Sequence, residues 1–71
     1  MNPPDHTIEP DADRFVVKVG SHVAGYLAED EEHPGLWLVR DQAGVFMGRQ
    51  VSREAGAAFL AAWFVADEDG G

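Results

Sequence analysis

Residues 57–66 read AAFLAAWFVA, an unbroken apolar run, and Asp67, Glu68, Asp69, Gly70 and Gly71 follow it. The run falls well short of the roughly 20 apolar residues that a bilayer-spanning helix needs. Alanine and long apolar side chains favour a helix over a strand. Just ahead of the run, Ser52 supplies an N-cap and Glu54 an acid in the first turn, where the helix dipole welcomes one. Spaced at helical intervals, Phe59, Leu60, Trp63 and Phe64 gather on one side, while Ala57, Ala58, Ala61, Ala62 and Val65 fall on the other. The expectation is a helix whose aromatic side lies on a sheet. Its small-residue side is then left for a second copy, which would touch Ala57, Ala61 and Val65 with Phe64 at the rim. Acids at the negative end of a helix are unfavourable, so residues 67–71 are predicted to form a disordered acidic tail.

The sheet is expected upstream. RFVVKVGSHVAGYLAE, residues 14–29, holds two β-rich runs around Gly20-Ser21, a pair suited to a two-residue hairpin turn with Gly at positive φ. That turn sets Val19 against His22, Val17 against Ala24 and Phe15 against Tyr26. A solvated loop, Glu29 to Gly35, separates it from a second hairpin over residues 36–50. There Asp41-Gln42-Ala43-Gly44 fits a type I turn. The implied register places Val39 opposite Met47, Trp37 opposite Arg49 and Arg40 opposite Phe46, with the Arg40 stem and guanidinium covering the ring. Residues 1–13 carry three of the four prolines and four acids, and are expected to be a flexible arm. The fold class is therefore α+β. A small antiparallel sheet of about four strands, from two hairpins, is packed by one C-terminal helix in a single domain over residues 14–66.

Composition narrows function by exclusion. In 71 residues there are thirteen acids, five bases and no cysteine, for a net charge of −8. Disulfides and thiolate zinc sites are ruled out. Such charge repels nucleic acid and anionic lipid and attracts basic proteins. No direct nucleic-acid or membrane binding is expected, and the segment MNPPDHTIEPDAD has neither the basic start nor the apolar centre of a signal peptide, which points to the cytoplasm. Four Arg to one Lys, with abundant Ala, Gly and Val, fits a GC-rich genome, and size and charge resemble those of small actinobacterial accessory proteins and host-directed phage proteins.

No motif carries chemistry. His6, His22 and His33 lack metal-ligand spacing, and Ser21 and Ser52 are accounted for as turn and cap. Neither catalysis, cofactor nor metal is expected. The expected role is a small protein-interaction module that regulates or inhibits a protein partner and pairs with itself through the helix. Its contact residues would be Trp37, Arg40, Arg49, Ala57, Ala61, Phe64 and Val65. The acids Glu29, Asp30, Glu31 and Glu32 form a patch that suggests an alternative, a nucleic-acid mimic blocking a basic protein. A further alternative rests on the last two residues alone, which resemble the Gly-Gly end of ubiquitin-like modifiers and sulfur carriers.

Overall fold

The computed structural model describes residues 5–70, with side chains as far as Asp67. Five strands and one helix follow in the order β1 (Thr7–Asp11), β2 (Arg14–Val19), β3 (His22–Glu29), β4 (Trp37–Asp41), β5 (Phe46–Gln50) and α1 (Arg53–Gly70). The strands form one antiparallel meander, each pairing with the next in sequence, and α1 packs across one face of it. The α+β class and the two hairpins are as expected; the fifth strand is not.

That strand comes from the segment expected to be a flexible arm. Thr7–Asp11 pairs with β2 from Thr7↔Lys18 to Asp11↔Arg14, and Ile8 packs against the core. Proline lacks an N–H and is tolerated on a sheet edge, which is where Pro10 lies. The connecting turn is Ala12-Asp13, with Ala12 at φ 58°. Residues 1–4 of the expected arm lie outside the described residues.

Both predicted turns are present. Gly20 has φ 64° and joins Val19↔His22. At the second, the Gly44 N–H donates to the Asp41 carbonyl at 2.9 Å, Gly44 has φ 86°, and Asp41 Oδ1 accepts from the N–H groups of Ala43 and Val45. Beyond each turn the register departs from expectation by one residue. Ala24 is an extra residue in β3, so Val17 pairs with Gly25 and Phe15 with Leu27. Met47 is an extra residue in β5, so Val39 pairs with Gly48, Leu38 with Arg49 and Trp37 with Gln50, while Arg40↔Phe46 stands. Each β-bulge turns the following side chains to the opposite face from the one an unbroken ladder would give.

The helix begins as predicted: Ser52 Oγ accepts the Ala55 N–H at 3.0 Å. Its orientation differs. Ala57 and Leu60 are fully buried against Val17, Ala24, Leu27 and Val39, and Ala61 is fully buried too, whereas Trp63 is 48 % exposed. Phe59 and Phe64 pack at the margins of this core. Layer spacing explains the rotation. Gly25 faces Leu60, and a Cβ there would meet Leu60 Cδ2 at 2.6 Å; Gly56 lies over Leu27, where a Cβ would meet Cδ2 at 2.7 Å. Glycine on the strand and Gly56, Ala57 and Ala61 on the helix let the two backbones approach closely. The bulky rings are left to the flanks of that seam. The helix does not end at Asp67 but continues through Gly70, so the tail predicted to be disordered begins as its last turn. Gly71 lies outside the described residues.

A candidate interaction surface on the open face of the sheet

Alternation along the strands divides the side chains between a helix-facing layer and an open one. Leu27, Val39 and Val17 go to the core, so their neighbours Tyr26, Ala28, Leu38, Arg40 and Val16 stand on the face that α1 does not cover. Two rows cross this face: Val16, Tyr26, Arg40 and Phe46, then Arg14, Leu38 and Arg49, with Ala28 beside Leu38. Four of the five basic side chains, Arg14, Lys18, Arg40 and Arg49, belong to this layer of a strongly acidic chain.

The face is concave. A depression of about 800 Å³ has Ala28, Leu38 and Phe46 as its apolar lining, Arg14, Arg40 and Arg49 as its cations, and Asp13 with Glu29–Glu32 along its acidic margin. The arginines are held differently. Arg14 lies over the Tyr26 ring at 4.0 Å and 3.4 Å from Asp11. Arg49, not Arg40, lies over Phe46, its guanidinium carbon 5.3 Å from the ring centre. Arg40 Nη1 donates to the Gly44 carbonyl at 3.1 Å, and among the described residues it has no acidic partner. Phe46, 46 % exposed, gives the rim a large apolar surface beside that cation.

The acidic margin is anchored by a buried carboxylate. Asp30 accepts Arg49 Nε at 2.5 Å, the Glu32 N–H at 2.9 Å and the His33 N–H at 3.3 Å, and its Oδ2 lies 3.1 Å from His33 Nδ1. The Arg49 hydrogen bond is the largest influence holding the Asp30 carboxyl below its ordinary pKa, against burial, which pushes it up; the Glu32 N–H and His33 add to the lowering. Asp30 is thus a loop anchor, while Glu29, Glu31 and Glu32 remain exposed around it.

The expected contact residues therefore separate. Arg40, Arg49 and the patch Glu29–Glu32 are brought together on the open face, together with Arg14, Leu38 and Phe46, which the sequence reading had not linked to them. Trp37 goes to the other side, packed edge-on against Phe15 with ring centres 5.9 Å apart. Ala57 and Ala61 lie in the core, which removes them from any contact surface. Phe64 is half-buried, stacked on His22 at 6.0 Å, and Val65 is partly exposed. Among the described residues, no group of three or more His, Asp or Glu is arranged to hold a metal ion, and no helix is long and apolar enough to cross a membrane. No protein-family model matches the chain, and no curated protein or solved structure matches it.

Proposed function

We propose that the protein is a small, non-catalytic, cytoplasmic binding module that engages a protein partner through the open face of its sheet and thereby regulates or inhibits it. The observation that carries this reading is the concave face itself. An apolar lining with an uncompensated Arg40 beside exposed Phe46 joins the two residue types, arginine and aromatic, that dominate protein-interface energetics. The acidic margin would steer a partner with basic groups around an apolar centre.

Capture of partners from native extract, compared between wild type and the Arg40→Glu/Phe46→Ala double variant, tests this reading. Both side chains are exposed, so the fold is retained, and the variant is expected to lose the captured protein. Crosslinks from that protein should map to β4, β5 and the Glu29–Gly35 loop. A partner held equally by the double variant overturns the proposal.

One observation favours the nucleic-acid mimic as a second reading: Glu31 and Glu32 project from a loop fixed through Asp30 rather than from a free chain. A mimic would release its basic partner steeply as salt is raised and would fail on Glu31→Gln/Glu32→Gln. A contact centred on Phe46 and Arg40 would survive both.

A further inference from the structure

The two edges of the sheet are chemically unlike. Strand β1 carries Glu9, Pro10 and Asp11, the charge and proline that natural edge strands use against pairing with other chains. Strand β5 has neither proline nor acid, and residues 42–53 contain no acid at all while carrying Arg49 and Arg53. Of the four large apolar side chains most exposed among the described residues, three sit at the ends of this strand: Val45 at 57 %, Phe46 at 46 % and Val51 at 76 %. Among the described residues, no strand neighbours the outer side of β5.

We propose that β5 is a homodimerisation edge, pairing antiparallel with β5 of a second copy to form one continuous sheet. Two observations select a second copy as the occupant. The first is charge. Two chains of −8 repel wherever their acids meet, and residues 42–53 bring Arg49 and Arg53 but no acid of their own to this edge. The Glu29–Glu32 loop tied to it is partly offset there, because its Asp30 is paired with Arg49. The second is register. Phe46 and Arg49 both line the open face, because the extra residue Met47 lies between them. A two-fold axis near Met47–Gly48 therefore sets each Phe46 opposite the Arg49 of the other copy with both side chains on the same face. This repeats between copies the Arg49–Phe46 stacking already made within one. The same axis carries Val51 up to the Gly44–Val45 corner of the other copy, covering both exposed valines. Pairing also satisfies the backbone groups that an edge strand leaves to water.

A dimer answers a need of so small a domain. The fully buried apolar side chains are few, and three of them are alanines, Ala24, Ala57 and Ala61. A chain of this length commonly adds a disulfide, a metal or a partner subunit to so thin a core, and it has no cysteine.

Sedimentation velocity from micromolar to near-millimolar concentration tests the proposal on wild type, Val45→Asp, Val51→Asp and, as a control on the helix, Val65→Asp. Val45 and Val51 line neither the core nor the open-face depression, so these variants keep the fold, which circular dichroism verifies. The expected result is a reversible dimer whose dissociation constant rises about tenfold or more in the two strand variants, with Val65→Asp unchanged. Amide exchange in β5 should slow with concentration while exchange in β1 does not. A strict monomer across the range overturns the proposal, as does a dimer lost on Val65→Asp and indifferent to both strand substitutions.

Discussion

Arg49 Nε and Asp30 Oδ2 are joined at 2.5 Å across nineteen residues of sequence, and this bond ties the acidic loop to the edge strand. Asp30 is buried and also receives two backbone N–H groups of its own loop. Removing the carboxylate takes the acceptor from the Glu32 N–H and leaves the His33 N–H with the Asp30 backbone carbonyl at 3.3 Å. Asp30→Ala is therefore expected to lower Tm by several degrees and to accelerate amide exchange at Glu32 and His33, with little change in β1 and β2.

Acid should reveal the same anchor. Because Asp30 titrates lower in the folded chain than in the unfolded one, its stabilising effect is complete above the ordinary carboxylate value, about 3.9. It is lost as pH falls through the lower folded value, where the unfolded chain binds the proton first. Tm is expected to drop more steeply below about pH 4 in the wild type than in Asp30→Asn. Parallel curves for the two would exclude Asp30 as the source.

Two glycines at the helix–sheet seam should respond unequally to alanine. At Gly25 a Cβ would lie 2.3 Å from the Arg40 carbonyl oxygen as well as against Leu60, so backbone has to move. Gly25→Ala is expected to destabilise by about 3 kcal/mol. At Gly56 the obstacle is the tip of the Leu27 side chain, 2.7 Å away, which can rotate, and alanine improves helix propensity. Gly56→Ala should stay within about 1 kcal/mol of wild type. Urea denaturation of both variants measures the contrast.

Ala12 holds φ 58° in the turn that joins β1 to β2. A residue with a Cβ is strained there and glycine is not. Ala12→Gly is expected to stabilise by about 0.5–1 kcal/mol, read as a rise in the urea midpoint at constant m-value. A loss of stability would mean that the turn is not populated.

The two tryptophans should behave differently. Trp63 is 48 % exposed, and Trp37 packs on Phe15 beside the core. Trp63→Gln is expected to cost less than about 1 kcal/mol, whereas Leu60→Ala, at full burial, should cost about 3 kcal/mol. Acrylamide should quench Trp63 in Trp37→Phe far more than it quenches Trp37 in Trp63→Gln.

Turn and cap chemistry made much of this architecture legible. Gly20, Asp41–Gly44 and Ser52 each form the local structure their residue types dictate. Strand β1 escaped because its proline and acids are also the marks of an unfolded segment, and because its turn uses Ala12 where glycine or asparagine would have announced it. The registers slipped at Ala24 and Met47, ordinary strand residues, yet each is followed by a glycine, Gly25 or Gly48, and glycine within a strand often marks a bulge. Ranking side chains on size alone finds Leu60, Phe59 and Phe64 on the sheet side but wrongly adds Trp63 and leaves out Ala57 and Ala61. At a close seam the small residues go inside, and Gly25 and Gly56 were the sign that this seam is close. The open-face site was half legible for the same reason as the registers: Arg40 and Phe46 lie between turn and bulge, where the pairing was correct, and Arg49 lies beyond it.

The meander has a consequence for how the chain acquires its shape during synthesis. Each strand docks on the one made just before it, so no pairing waits for a distant segment, a local topology associated with rapid folding. The lid is the exception. Ala57, Leu60 and Ala61 are the last core residues to leave the ribosome, and until they arrive Val17, Leu27 and Val39 have nothing above them. Nascent chains halted before the helix should remain protease-sensitive, and those carrying it to its end should become resistant in a single step.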